Sequence, residues 1–319
     1  MSELSKPMSE LFNLKSLKKM LAIVGPTATG KSDLAVELAR QFNGEIISAD
    51  SRQVYKGMDL GSGKITKKEM RGIKHHLLDA ISPAGRAIFS AGQFKKLADR
   101  AVIQIERRGR LPILTGGTGF WIDTVAFNRS YPEVPPNLRL RARLEKLPAE
   151  KLFAQLGALN PVRAAGIDAK NKRRLIRAIE IAKFLKGKNF EVTAAPTHQV
   201  LFLGLDLPAG ALEKRIAKRL AKRLKAGMLK EAKRLHRRGV SWKKMESFGL
   251  EYKFMALHLQ GKIPERKEME FQILTASRQY AKRQRTWFKR NHQIHWLNAG
   301  DKKTALRQSI VLVKKFLRD

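Results

Sequence analysis

Apolar and polar positions along the chain fall into two regimes. In the first third, short apolar runs, Met20 to Val24, Glu45 to Ser48 and Leu111 to Leu114, read as strands, and Phe94 to Arg107 carries helical spacing between the last two. Strands alternating with helices predict a parallel α/β sheet. The pattern breaks at Tyr131-Pro132-Glu133-Val134-Pro135-Pro136, and from Leu138 to Leu185 the periodicity is helical and basic, with no strand candidate. Val200 to Asp206 reads as a strand again, and from Leu212 the chain is mostly helical to its end. The simplest organisation is an N-terminal extension over 1–19, a core formed by 20–127 and 198–319, and a helical insertion over 128–197.

The junction after the first apolar run carries chemistry. Gly25-Pro26-Thr27-Ala28-Thr29-Gly30-Lys31-Ser32 fits the phosphate-binding pattern G-x-x-x-x-G-K-[ST], with a strand before it and the helical segment Asp33 to Ala39 behind it. Free N–H groups and the dipole of that helix favour an anion, and the glycines let the backbone wrap a phosphate chain. Lys31 would neutralise the remotest phosphate oxygens, and the Ser32 hydroxyl would hold a Mg²⁺ bridging two phosphates. The expected fold class is therefore α/β: a P-loop NTPase-like parallel sheet core with an inserted helical domain and a helical C-terminal region.

Two further segments face the same crevice, because ligands in open α/β sheets sit beyond the carboxyl ends of the strands. Asp50 follows the second strand, with Ser51, Arg52 and Gln53 in the same turn. Thr115-Gly116-Gly117-Thr118-Gly119 follows the third, and its glycines suit a close approach of backbone to ligand. His75 and His76 are not read as metal ligands: neighbouring side chains diverge and no third ligand follows at suitable spacing.

Charge narrows the partner. The 319 residues hold 65 Lys and Arg against 28 Asp and Glu, a net charge of +37, which predicts attraction to a polyanion, nucleic acid first. Between Ala211 and Val240 there are twelve basic residues and two Glu. There Leu212, Ile216, Leu220 and Leu224 form an apolar stripe, while Arg215, Arg219 and Arg223 share another face, from which an arginine could reach a diphosphate. Arg278 to Arg290 interleaves six basic residues with Tyr280, Trp287 and Phe288, a composition that suits single-stranded RNA, although each ring is equally at home in a core. No apolar stretch approaches the ~20 residues of a membrane span, and Met1 to Lys19 lacks the apolar centre of a signal peptide, so a cytoplasmic protein without membrane contact is expected. With no cysteine, disulfides and thiolate chemistry are excluded.

Taken in order, these motifs resemble those of the tRNA dimethylallyltransferases. Beyond the P-loop, Asp50 to Gly61 is similar to the second signature of that family, His75-His76-Leu77-Leu78-Asp79 to its third and Leu111 to Gly119 to its fourth. Asn171 to Glu180 resembles the exit of its insertion, and Arg278 to Gln284 its C-terminal signature. Gln93 stands where the family usually has an acid, Asp168-Ala169 replaces its usual Asp-Pro, and Ser247 to Tyr252 matches its glycine-tyrosine pattern loosely.

The resemblance implies transfer of the dimethylallyl group of dimethylallyl diphosphate to N6 of the adenosine 3′-adjacent to a tRNA anticodon. By carry-over, Gly25 to Ser32 bind the diphosphate, and Asp50 is the general base or acceptor for the adenine amino group. Lys31, Thr118 and Arg219, with Mg²⁺ on Ser32, stabilise the departing diphosphate. Contacts with the tRNA anticodon stem-loop fall to Asp50, Ser51, Arg52, Gln53, Arg173, Arg174, Arg177, Ser247, Phe248, Gly249, Tyr252, Arg278, Lys282 and Arg283, and a monomer is the expected state. A P-loop kinase would use the same Lys31, Ser32 and Asp50, and a nucleic-acid-binding NTPase would share the charge. ATP turnover separates both from a prenyl transferase.

Overall fold

The computed structural model describes residues 17–85, 89–189 and 193–319. Residues 1–16 of the expected N-terminal extension lie outside the described residues. By contact the chain divides into a larger unit, 1–128 with 196–319, and a smaller one, 129–195.

The larger unit is built on one parallel sheet of six strands: β1 (Lys18–Val24), β2 (Gly44–Ser48), β3 (His75–His76), β4 (Leu111–Thr115), β5 (His198–Asp206) and β6 (Ile294–Asn298). Their order is β3-β2-β4-β1-β5-β6. Central β1 pairs with β4 on one side, Leu21 opposite Ile113, and with β5 on the other, Leu21 opposite Leu201. Both faces of β1 are covered: Met20, Ala22 and Val24 point into one core, and Leu21 and Ile23 into the other. That is why this strand reads as an unbroken apolar run rather than an alternation.

Helices α1 (Lys31–Gln41), α2 (Lys67–Met70), α3 (Ala91–Arg107) and α4 (Gly119–Ala126) belong to the N-terminal part. Helix α3 begins three residues before the sequence-predicted Phe94, because Ser90 caps it: the Ser90 hydroxyl accepts from the Gln93 N–H, and Gln93 Oε1 accepts from the Ser90 N–H at 2.9 Å. Gln93 thus closes the same reciprocal box that an acid would close.

In the smaller unit, α5 (Leu138–Leu144), α6 (Ala149–Leu159), α7 (Pro161–Ala165) and α8 (Lys172–Phe184) enclose a core of Leu140, Leu144, Leu152, Leu156, Leu175 and Ile179. Buried Glu180 ties it together, accepting from the Asn137 N–H and from Arg141 Nε at 2.9 Å, and pairing with Arg177.

The C-terminal part carries α9 (Ala209–Lys225), α10 (Met228–Arg237), α11 (Trp242–Ser247), α12 (Leu250–Leu259), α13 (Arg266–Phe288) and α14 (Lys302–Arg318). Along α9 the apolar stripe serves both cores: Leu212 and Ile216 pack into one, Leu220 and Leu224 into the other.

Two strands escaped the sequence pattern. Strand β3 has two residues, and β6 interrupts the stretch expected to be mostly helical after Leu212. Both lie at the edges of the sheet; β3 is too short for a pattern, and β6, as long as β2 and β4, buries only Ile294 and Leu297, so neither leaves a clean period of two. In β3 the two histidines diverge as expected of strand neighbours: the His75 ring bonds to the Ile73 carbonyl, and His76 Nε2 lies 2.6 Å from buried Glu45, which Arg108 and Arg110 also grip. Among the described residues no histidine, cysteine or carboxylate cluster is arranged to hold a metal.

Candidate active site

The turn between β1 and α1 carries the sequence pattern of a phosphate loop. Gly25 has φ +133°, and a Cβ there would come within 2.2 Å of the Leu205 carbonyl on β5, so only glycine fits. Gly30, with φ +95°, sits at the N-cap of α1. The buried Thr29 hydroxyl donates to the Pro26 carbonyl at 2.9 Å, and Lys31 Nζ donates to the same carbonyl at 2.7 Å. Ser32 lies exposed in the first turn of α1.

Helix α9 brings a second cation to this loop. Arg219 Nη2 donates to the Thr27 hydroxyl, while its neighbours on the same face go elsewhere. Arg215 Nη2 donates to the Ala299 carbonyl at 3.0 Å, and Arg223 donates to the Leu60 and Gly61 carbonyls and to Glu251 Oε1 at 2.7 Å. Of the three, Arg219 is the one that meets the phosphate loop. The face is turned inward rather than solvated, and the Nε atoms of Arg219 and Arg223 are both buried without a hydrogen-bond acceptor.

Like charges converge here. Burial lowers the Lys31 ammonium to about 7, the charge of Arg219 acts in the same direction, and the Asp50 carboxylate opposes them. Burial and Arg223 bring Arg219 down to about 10, against the pull of Glu251 and Asp50. Two strained cations beside a ring of backbone amides form an arrangement that a polyanionic ligand relieves.

Across the crevice, Asp50 follows β2. Its Oδ1 accepts from the Arg52 N–H at 2.8 Å and the Gln53 N–H at 3.4 Å, closing an Asx turn through one oxygen. Thr118 follows β4: its N–H donates to the Ala49 carbonyl at 3.2 Å and its hydroxyl accepts from the Ser51 N–H at 3.1 Å, joining the turn of Asp50 to the second glycine loop. Gly116 permits that closeness, since a Cβ there would lie 2.2 Å from the Ala49 carbonyl. The carboxyl ends of β1, β2 and β4 thus bring Lys31, Asp50 and Thr118 to one crevice, with Arg219 added from α9.

A model of the family described as IPP transferase matches residues 53–291. The chain belongs to the IPP transferase family. It is 42% identical over 296 residues to the tRNA dimethylallyltransferase 2 of Trichlorobacter lovleyi, covering 91% of this chain and 96% of that one. It is 41% identical over 286 residues to the tRNA dimethylallyltransferase 1 of Geotalea uraniireducens, covering 88% and 93%. Among solved structures, the full-length tRNA isopentenylpyrophosphate transferase of Bacillus halodurans superposes with a TM-score of 0.71 at 34% identity, over 94% of this chain and 97% of that one. A eukaryotic dimethylallyltransferase solved acting on tRNA gives 0.78 at 25% identity, over 94% and 80%.

Placed on this IPP transferase framework, the residues singled out for tRNA contact sort into open and enclosed positions. Arg173 and Arg174 are exposed in the first turn of α8, and Lys282 and Arg283 are exposed on α13. Arg177 is engaged by Glu180 and the Val134 carbonyl, and Arg278 pairs with Glu213 at 3.5 Å. Arg52 Nε donates to the Phe248 carbonyl, drawing its turn onto the segment 247–249; Ser247 is exposed, whereas the Phe248 ring is buried against Tyr55. Tyr252 is 1% exposed, and its hydroxyl donates to Glu231 Oε1 at 2.8 Å, which gives it a packing role. The three rings of 278–290 are likewise occupied. Phe288 is core, the Tyr280 hydroxyl donates to the Gly117 carbonyl at 3.3 Å, and Trp287 donates to Asp123 while Arg290 covers its face at 4.0 Å.

Sequence reasoning missed the buried polar residues behind the site. Glu231 accepts from three consecutive backbone N–H groups, Asp59, Leu60 and Gly61, at 2.7–3.0 Å, and so fixes the end of the segment that starts at Asp50. The Arg223–Glu251 pair holds the carbonyls of the same turn. Gln284 was named only as the last residue of the segment resembling the family's C-terminal signature, with no role assigned to it.

Proposed function

We propose that this IPP transferase family member transfers the dimethylallyl group of dimethylallyl diphosphate to N6 of the adenosine 3′-adjacent to the anticodon of tRNA, releasing diphosphate, and that it works as a monomer in the cytoplasm. The observation that carries the reading is the convergence of Lys31 and Arg219 on the phosphate loop, opposite Asp50, with Thr118 in the same crevice. The loop grips a phosphate chain and carries no element that reads a base, which suits a prenyl diphosphate as well as a nucleotide.

An allylic carbon loses diphosphate with carbocation character, so the barrier falls when charge on the leaving group is neutralised as it develops. Lys31, Arg219 and the amides of Gly30 to Ser32 do this at one end. Asp50 acts at the other, its second oxygen taking the hydrogen bond, and finally the proton, of the adenine amino group as nitrogen attacks carbon. The Thr118 hydroxyl completes the diphosphate side. The target base must leave its stack to reach the crevice, which costs a few kcal/mol. Exposed Arg173, Arg174, Lys282 and Arg283 supply phosphate contacts that hold the tRNA while it does so.

Ser32 is the residue that would hold Mg²⁺. No cluster of three ligating side chains exists among the described residues, and a single hydroxyl beside a phosphate loop fits an ion that keeps waters and takes its remaining ligands from substrate phosphates. When bound, that ion supplies further charge neutralisation on the diphosphate.

The test is to incubate the protein with unmodified tRNA, dimethylallyl diphosphate and Mg²⁺, digest the RNA and seek prenylated adenosine by mass spectrometry. Its appearance is expected; ATP consumption without it would turn the site over to a kinase or NTPase.

A further inference from the structure

The side chain of Gln284 on α13 bridges the two loops that follow the paired strands β1 and β4, beyond their last partners Ile23 and Thr115. Its Oε1 accepts from the Thr27 N–H of the phosphate loop at 2.8 Å, and its Nε2 donates to the Gly117 carbonyl at 2.8 Å. It is 4% exposed, so both bonds are shielded from water. Gly117 has made room for it, since a Cβ there would stand 2.2 Å from Gln284 Nε2. Tyr280, one turn earlier, donates to the same carbonyl. What hangs on each end matters: Thr27 carries the hydrogen bond from Arg219, and Gly117 directly precedes Thr118, which holds the turn of Asp50.

We propose that Gln284 is a positioning residue that locks the phosphate loop to the Thr118 loop, and so fixes the spacing between leaving group and acceptor in the transfer reaction. The proposal rests on the function given above. A carboxamide suits this position because it alone offers an acceptor and a donor on one flat group of this length; a glutamate keeps the acceptor for Thr27 and loses the donor for Gly117. The bridge touches neither substrate. Its loss therefore acts on alignment, and misplacement of about 1 Å in such a site costs roughly 10²-fold in rate.

The test compares Gln284→Met, which keeps length and removes both bonds, with Gln284→Glu, which keeps one. Steady-state prenylation of tRNA is expected to show kcat falling roughly 10²-fold in Gln284→Met, with KM for dimethylallyl diphosphate little changed. Hydrogen exchange at the Thr27 amide is expected to accelerate in Gln284→Met and to stay slow in Gln284→Glu. Gly117→Ala should lower kcat strongly in the natural background and add little to Gln284→Ala, whose shorter side chain leaves space for the methyl. Unchanged kcat in Gln284→Met, or losses in kcat that add independently in the Gly117→Ala, Gln284→Ala pair, would overturn the proposal. The two readings fail separately. Absence of prenyl transfer by the unsubstituted protein defeats the proposed function, whereas unchanged Thr27 exchange in Gln284→Met overturns the bridge whatever the turnover.

Discussion

Arg219 donates a hydrogen bond to the hydroxyl of Thr27, joining residues 192 positions apart in the chain. The contact places a C-terminal helix against the first loop of the sheet, and it leaves the guanidinium with one buried, unpaired Nε. Such a donor set is preorganised for charge that develops on a leaving diphosphate. Removing it by Arg219→Ala should lower kcat by about 10²–10³-fold, the scale set by the loss of one preorganised donor. Arg219→Lys should recover little, because a compact ammonium cannot bond Thr27 and a phosphate in a single fork. Single-turnover prenylation measures both, and a loss confined to KM would show that Arg219 only binds ground-state substrate.

Lys31 offers a test through protons. In the free protein its ammonium is lowered to about 7 by burial first and Arg219 second, so at pH 8 the amine is mostly neutral. A bound diphosphate favours the charged form, and binding at pH 8 should therefore take up most of one proton. Calorimetry of inorganic diphosphate binding in buffers of different ionisation enthalpy reads this directly; Lys31→Met should abolish the uptake. The sign for stability follows from the same depression. Between about pH 7 and the ordinary lysine value near 10.4, the unfolded chain binds more protons at this position than the folded one, so this group makes the protein more stable as pH rises through that window and less stable as pH falls toward 7. The stability of Lys31→Met relative to the unsubstituted protein should therefore be greatest near pH 7 and shrink toward pH 10.

Much of the site was legible because it is local. The phosphate loop, Asp50 and the Thr118 loop each sit immediately after an apolar run, and a strand followed by glycines is a short-range signal. The helix pattern alone did not choose between Arg215 and Arg219, which the family resemblance did: both lie on one face of α9, and the four-residue step decides whether a guanidinium meets Ala299 or Thr27. Nor were the roles of Glu231, Glu251 and Gln284 legible, whose partners lie 171, 28 and 257 positions away and leave no periodicity. The aromatic interleaving of 278–290 fitted RNA bases and a core alike, and the fold shows the core reading at work, since Tyr280 and Trp287 pack the inner face of the basic helix against Gly117 and Gly119. Edge strand β3 was lost for lack of length, and β6 because only Ile294 and Leu297 are buried.

The Arg223–Glu251 pair is enclosed, each side chain 10% exposed, and it holds two carbonyls of the turn that Glu231 grips through its amides. Glu251→Gln keeps shape and removes the charge, leaving Arg223 buried without compensation; unfolding in urea should register a loss of roughly 3–5 kcal/mol. Replacing both partners, Arg223→Met with Glu251→Leu, should recover a large part of that stability while still damaging turnover, because the carbonyls of Leu60 and Gly61 lose their donor. Equal stability of the single and double variants would deny the pair its role.

Arg174 and Arg177 stand three residues apart on α8 and face different fates. Arg174 is exposed, whereas Arg177 is bound to Glu180 and the Val134 carbonyl. Arg174→Ala should leave the melting temperature in place and reduce the slope of log affinity for tRNA against log salt by about 1, as expected for one lost phosphate contact. Arg177→Ala should instead weaken the smaller unit, visible as faster exchange or proteolysis within 129–195. A flat salt response in the unsubstituted protein would contradict docking driven by phosphate contacts.

Asp50 separates chemistry from architecture through its two oxygens. Oδ1 closes the turn by accepting from Arg52 and Gln53, and an asparagine oxygen can do the same, so Asp50→Asn should fold normally and bind tRNA with unchanged salt dependence. The other position then presents an NH₂ group, a donor where the adenine amino group needs an acceptor. Transfer should fall by about 10²–10⁴-fold, the range for loss of a positioned general base. Because Asp50 also sustains the charge of Lys31, the same substitution should drop the Lys31 titration further. Near-normal transfer by Asp50→Asn would remove Asp50 as the base and leave leaving-group stabilisation by Lys31 and Arg219 to carry the reaction alone.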